Sequence, residues 1–98
     1  MAVTEDLRVE DNPAKHRYEA RAGDQLLGFI AYRAEPGRIM LIHTEVEPEL
    51  EHRGVGSQLV AGTLADIRAR GLAVVPICPF VRAFIRRHPE YAELVGTT

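Results

Sequence analysis

Alternation between polar and apolar positions dominates the first half of the chain. Residues 16–22 (HRYEARA) alternate, Gly23-Asp24 carries turn chemistry, and residues 25–35 (QLLGFIAYRAE) are rich in Leu, Phe, Ile and Tyr. Two such runs across a two-residue turn read as a β-hairpin. Pro36-Gly37 marks a second turn. Residues 39–46 (IMLIHTEV) then read as a third strand, and their apolar character predicts a central position covered on both faces. Three strands joined by short turns form an antiparallel meander. Residues 1–15 show little periodicity and end in Asp11-Asn12-Pro13, which predicts a loose or edge-pairing arm.

The period then changes. After the polar stretch 47–56, Leu59, Val60, Thr63, Leu64 and Ile67 recur at helical spacing. This predicts a helix from near Gly54 or Ser57 to Arg70, with Arg68 and Arg70 complementing the dipole and Gly71 as cap. Residues 73–78 (AVVPIC) read as a fourth strand. Pro76 removes a ladder donor, so this strand is expected at an edge or locally distorted. Pro79 opens a second helix running from Phe80 to about Arg87, with Phe80, Val81, Phe84 and Ile85 on its apolar side, and His88-Pro89 stops it. Strand, glycine loop, helix and strand make a βαβ unit with parallel strands. The expected fold class is α/β (α+β): a mixed sheet, antiparallel meander first, then the βαβ unit and a C-terminal helix.

Composition narrows the class. At 98 residues the chain is sized for a single domain spanning 1–98. Its 46% hydrophobic and 27% charged residues sit near globular averages, which excludes a disordered or fibrous chain. The single cysteine, Cys78, can form neither an internal disulfide nor a structural zinc site, so no metal is expected. No apolar run reaches the ~18–20 residues of a membrane helix, and the acidic start is unlike a signal peptide. A cytoplasmic setting without membrane partners follows. A net charge of -2 argues against a nucleic-acid partner.

Gly54-Val55-Gly56-Ser57, between strand and helix, is the most informative local feature. Amides at a helix N-terminus form an anion site, and glycines let a phosphate approach. A P-loop is excluded because no Lys-Ser/Thr pair follows, and a Rossmann turn because Leu59 stands where its third glycine belongs. A plain strand–helix connection is the other reading. Thr44-Glu45-Val46, the acidic loop, Glu51-His52-Arg53-Gly54-Val55-Gly56-Ser57 and the amphipathic helix together resemble the acetyl-CoA motif of the GNAT N-acetyltransferase superfamily. Gly54 and Gly56 match its two small positions. Glu51 departs from it, standing where Gln or Arg is usual. Cys78-Pro79-Phe80-Val81-Arg82 and Arg87-His88-Pro89-Glu90-Tyr91 resemble the end of a short GNAT-like family of about one hundred residues.

The resemblance implies an acetyl-CoA-dependent N-acetyltransferase acting on an amine-bearing acceptor, a small molecule or a protein or peptide, as a monomer or small homo-oligomer. It implies that the two parallel strands splay apart to admit the pantetheine arm, with Thr44, Glu45 and Val46 pairing to it. The pyrophosphate would rest on His52, Arg53, Gly54, Val55, Gly56 and Ser57. For catalysis it points to Cys78 and His43. On the residues alone, Cys78 is an N-cap cysteine at an open strand end, where helix amides favour a thiolate, or else a buried small hydrophobe. His43 on the neighbouring strand is a base for the thiol or the amine, or a core histidine. Both direct transfer and an acetyl-Cys78 intermediate are open. Glu45, Glu47, Glu49 and Glu51 attract a cationic acceptor or form a solvated loop. Arg82, Arg86 and Arg87 meet the CoA 3′-phosphate or form an exposed face. Tyr18, Tyr32 and Tyr91 have no spacing that favours acid chemistry over packing. The alternatives to an enzyme are an acyl-CoA-binding module with little turnover, and a structural partner protein with no ligand.

Overall fold

The computed structural model describes residues 7–96. Five strands form one mixed sheet in sequential order: β1 (Leu7–Asn12), β2 (Arg17–Ala22), β3 (Gln25–Glu35), β4 (Arg38–Val46) and β5 (Ala73–Pro76). β1 to β4 pair antiparallel, and β5 joins β4 in parallel. Helix α1 (Val55–Ala69) connects β4 to β5, and α2 (Pro79–Arg87) follows β5. The meander, the βαβ unit and the second helix are where the hydropathy pattern puts them. The arm splits: Leu7–Asn12 is an edge strand, Pro13–Lys15 a 3-10 turn, and residues 1–6 lie outside the described residues.

One hydrophobic cluster holds the elements together. Leu59, Val60, Leu64 and Ile67 of α1 and Val81 and Phe84 of α2 pack with Tyr18, Ile30, Leu41 and Val74 of the sheet. α1 ends where expected: Gly71, at φ +70, donates its N–H to Arg68 O, and Leu72 donates to Ile67 O. That reversal needs a left-handed residue, which glycine supplies without strain. Beyond α2 a 3-10 segment (Pro89–Leu94) leads to Val95, which bridges Val74 and shields part of the β5 edge.

Two sequence expectations need correction. β4 is not covered on both faces, because Ile42 is 42% exposed and the His43 side chain 59% exposed. β5 ends at Pro76, not Cys78. The N–H groups of Ile77 and Cys78 both donate to Leu41 O, at 3.0 and 2.9 Å, so the chain turns off the ladder there. Pro76 does lie on an edge strand, as its missing N–H requires.

On the sheet face opposite Tyr18 and Ala20, Glu19 is almost fully buried at 2% exposure. Its carboxylate accepts from Arg17 Nε at 2.7 Å, Arg21 Nε at 2.9 Å and Asn12 Nδ2 at 3.1 Å. Arg17 also lies over the Phe29 ring, 4.7 Å from its centroid. Burial alone would raise the Glu19 pKa, but the three donors outweigh it and hold the group at about 2, below the usual 4.5. A carboxyl with a depressed folded pKa stabilises the protein above its unfolded pKa and loses that contribution as pH falls. The Glu19 contribution is therefore complete above about pH 4.5 and fades toward pH 2. Glu19→Gln is expected to lower stability at pH 7 by about 2–3 kcal/mol, since it leaves two arginines around a neutral amide. Urea unfolding from pH 7 to pH 2 checks this. The variant's disadvantage should shrink as the parent's carboxyl protonates, and a constant difference would contradict the assignment.

Candidate active site

The site begins with one irregularity in β4. Tyr32 of β3 pairs with Leu41 and Ala31 with His43, so Ile42 is an extra residue and forms a bulge. Side chains alternate along a strand, and one inserted residue reverses the alternation. Ile39 and Leu41 face the core. Without the bulge, His43 and Glu45 would follow them. With it, Thr44 and Val46 turn inward, opposite Ile30 and Gly28, and His43 and Glu45 turn to the other face.

The bulge coincides with the end of β4–β5 pairing. The last parallel partners are Leu41 and Pro76, and β4 runs on through Val46 without β5. The two strands thus separate at the position the resemblance implied. A cleft of about 390 Å3 opens there, lined by Thr44 and Val46, by Leu50, Glu51 and His52 of the following loop, by Gly54, Gly56 and Ser57, and by Phe80. Of the nine residues assigned to cofactor binding, Thr44, Val46, His52, Gly54, Gly56 and Ser57 line this cleft. Glu45 faces a second cleft, Val55 is buried in the core at 1% exposure, and Arg53 lines neither.

The glycine loop presents open donors. Gly54, at φ +83, is the N-cap of α1 and supplies no side chain to cap it. The first helical bond runs from Gln58 N–H to Gly54 O at 3.0 Å, so the amides of Val55, Gly56 and Ser57 precede the ladder. His52 also takes a left-handed conformation, at φ +69. Uncapped amides at a helix start suit an anion. The Gly56 position is tight for a different reason from the one its sequence context suggested. A Cβ there would meet Phe80 Cζ at 2.8 Å, so the glycine makes room for an aromatic ring. Phe80 is not a core residue of α2 but stands 39% exposed at the cleft.

Cys78 lies beside this cleft, at the N-cap of α2. It is buried, at 4% exposure, which corrects the expectation of an open strand end. Its Sγ lies 3.3 Å from Thr44 Oγ1. Burial pushes the thiol pKa up, but the Thr44 hydroxyl and the nearby amides of Val81, Phe80 and Thr44 outweigh it, and the net direction is downward. The structure does not bring His43 to the sulfur. His43 points to the opposite face, with Nε2 3.4 Å from Glu45 Oε2. The bulge is the cause.

A second cleft of about 360 Å3 lies at the same end of β4. Leu26, Gly28 and Phe29 of β3 line it with Glu45, Glu47, Pro48 and Glu51, and it shares Thr44, Val46 and Glu51 with the first. Three Glu residues of the acidic run thus gather at one opening, and Glu49 is not among them. Arg82 is engaged with the end of β5, donating to Ile77 O at 2.9 Å. Tyr18 and Tyr32 are structural, donating to Asp66 and Asp11 at 2.6 Å each. Among the described residues no group of three or more His, Cys, Asp or Glu stands close enough to hold a metal, and no helix is long and apolar enough to cross a membrane. The bulge and the Thr44–Cys78 contact were not read from the sequence. The only hint available there was an apolar Ile42 in the strand position next to His43.

Comparison with known proteins gives a consistent picture. The family model described as GCN5-related N-acetyl-transferase matches residues 17–94. A GCN5-like protein of Staphylococcus aureus, solved by NMR, superposes with a TM-score of 0.70 at 23% identity, over 95% of this chain and 91% of that one. Ard1 of Thermoplasma volcanium gives 0.56 at 18% identity, over 80% of this chain and 55% of that one. A ribosomal-protein-alanine N-acetyltransferase of Brucella melitensis biovar Abortus gives 0.53 at 18%, over 84% of this chain and 62% of that one. These likenesses establish the fold. Comparison with curated proteins finds no match.

The contact between Gly56 and Phe80 yields a test of the cleft geometry. Gly56→Ala should displace the Phe80 ring and so fall short of the usual gain, because the new methyl would otherwise lie 2.8 Å from Cζ. In a Phe80→Ala background the same change should recover the ordinary glycine-to-alanine gain of ~0.5–1 kcal/mol in a helix. Urea unfolding of the four proteins should give a coupling of about 1 kcal/mol. Additive effects would mean that the ring does not rest on Gly56.

Proposed function

The chain belongs to the GCN5-related N-acetyl-transferase family, and from that membership we propose that it moves an acetyl group from acetyl-CoA to an amine. The observation that supports this most is the cleft at the end of β4, where unpaired strand backbone and uncapped helix amides meet, and where Thr44 of the lining stands 3.3 Å from the buried Cys78 Sγ. Thr44 to Val46 would hold the amides of the pantetheine arm in place of the missing β5. The amides of Val55, Gly56 and Ser57 would receive the pyrophosphate. Acetyl-CoA supplies an acyl group already activated as a thioester.

In the proposed chemistry Cys78 Sγ, as thiolate, attacks the acetyl carbonyl carbon. A new C–S bond forms, the bond to the CoA sulfur breaks, and CoA leaves as a thiolate that takes a proton from water. A neutral amine then attacks the acetyl-cysteine. The C–N bond forms, the C–Sγ bond breaks, and the proton lost by nitrogen passes to a base. His43 stands with Glu45 on the outward face of β4 and lines neither cleft, so it would serve as that base through intervening water. The second cleft, with Glu45, Glu47 and Glu51 beside Leu26 and Phe29, favours an acceptor carrying positive charge and apolar surface. A free thiol suits the reducing cytoplasm.

Calorimetry with CoA is expected to show binding at one site per chain. Incubation with acetyl-CoA alone, followed by intact-protein mass spectrometry, should show one acetyl group on Cys78, discharged by an added amine. Undiminished turnover in Cys78→Ala would leave direct attack of the amine on the CoA thioester. CoA binding without thiol release, across a panel of amines, would favour an acyl-CoA-binding module.

His43→Ala should lower kcat by about 10²–10³-fold with CoA affinity unchanged, the range expected for removing a general base. Undiminished turnover in His43→Ala would remove His43 from the mechanism.

A further inference from the structure

We infer that Thr44 is the positioning residue that holds Cys78 as a thiolate, through its side-chain hydroxyl. The geometry is specific. Thr44 Oγ1 lies 3.3 Å from Sγ, and among the described residues the sulfur is the one side-chain partner this hydroxyl has. A hydroxyl facing a thiolate donates its proton to it, while a hydroxyl facing a thiol can accept instead. The contact therefore adapts to either protonation state but favours the anion, because charge-assisted hydrogen bonds are roughly twice as strong as neutral ones.

Among the side chains near the sulfur, this work falls to the hydroxyl. Cys78 is buried, and burial opposes ionisation. His43, the nearest imidazole along the strand, faces away toward Glu45. The guanidinium of Arg82, one turn into α2, is spent on the carbonyls of Pro76 and Ile77. The amides of Phe80 and Val81 at the start of α2 and the backbone amide of Thr44 also favour the anion. The Thr44 hydroxyl is the side-chain donor that joins them, delivered from another element. The bulge at Ile42 delivers it: only the reversed alternation brings residue 44, rather than residue 43, to the inner face.

Assigning this role to Thr44 deepens the reading of Cys78 as nucleophile, but its test does not depend on turnover. The rate of Cys78 alkylation by iodoacetamide, followed by intact mass across pH 5–10 on the CoA-free protein, reports the thiolate fraction. The parent should titrate below the ordinary thiol value of ~8.5. Thr44→Val keeps the shape and removes the donor. Its titration should move up by about one pH unit, a tenfold loss of thiolate at low pH. Thr44→Ser should restore most of it, which a merely packing role for the methyl would not do. If Thr44→Val fails to fold, Thr44→Ala removes the same donor with less bulk and is read in the same way. A titration unchanged by loss of the hydroxyl, or a shift that serine does not rescue, overturns the inference. If the shift appears and Cys78→Ala still turns over at the parental rate, Thr44 controls the sulfur and the nucleophile reading is the one that fails.

Discussion

A single inserted residue in β4 determines most of what this structure can do. Ile42 has no partner on β3, and its insertion reverses which residues face inward for the rest of the strand. The same point is where β5 departs, with Ile77 and Cys78 both bonded to one carbonyl of Leu41. Beyond that point the backbone of β4 runs on to Val46 without a β5 partner, and the cleft opens beside it. A regular strand would have turned His43 toward the core and Thr44 toward solvent. The bulge instead leaves strand backbone free on one side and sends Thr44 to the sulfur. A local departure from regularity is costly in hydrogen bonds, and such bulges commonly persist where they re-aim side chains.

The long-period features of this architecture were legible in the sequence. The hairpin across Gly23-Asp24, the α1 stripe of Leu59, Val60, Thr63, Leu64 and Ile67, its Gly71 cap and the proline start of α2 each rest on local chemistry that the residues carry themselves. So does the edge placement of the strand holding Pro76. What could not be read depends on pairing between distant segments. Edge pairing was one of two readings of the arm, and the choice of Leu7–Asn12 as its pairing segment is visible only once β2 exists, because polar Arg8, Glu10 and Asn12 look like a loop in isolation. The bulge is worse hidden, since IMLIHTEV alternates poorly in either register and the one mark of it is an apolar Ile42 beside His43. Of the strand-end residues that the sequence singled out, Thr44 and Val46 line the cleft. The partner of Cys78 came out as the neighbour of the expected residue, an error of one position, which in a strand is an error of a whole face.

The sheet also shows how an acidic residue is kept on a face that α1 does not cover. Glu19 sits between Arg17 and Arg21 along β2, with Phe29 across from it on β3. The arginine stems and the aromatic ring take the place of a packed helix, and the carboxylate ties the two guanidinium groups down over the strand. On the inner face Tyr18 and Tyr32 do comparable work, their hydroxyls bonded to Asp66 of α1 and Asp11 of β1 and their rings 5.4 Å apart. Arg70 joins both carboxylates. The edge strand β1 is thereby fastened to α1 by side chains as well as by the ladder. This polar network at the far side of the sheet keeps α1 fixed, and with it the N-terminal amides that the glycine loop exposes at the other end of the same helix.

Burial and ionisation of Cys78 look opposed, and the way they are reconciled bears on the proposed chemistry. An exposed thiolate is stabilised by water, which must be stripped away before it can attack. A buried one is stabilised only by what the fold holds in place. Here the sulfur is positioned by backbone on both sides: Cys78 N–H is tied to Leu41 O at 2.9 Å, and Cys78 O accepts from Arg82 N–H at 3.0 Å as α2 begins. Pro79 contributes a φ already suited to the first helical residue. The donor opposite, Thr44, is set by the pairing of Ile30 with Thr44 across β3 and β4. Neither side needs to rearrange for charge to sit on the sulfur, so little reorganisation would be needed as that charge moves onto an acyl carbon. In the proposed chemistry such a nucleophile would depend less on a neighbouring base than on the strand that faces it, and which residue that strand presents is set by the bulge at Ile42.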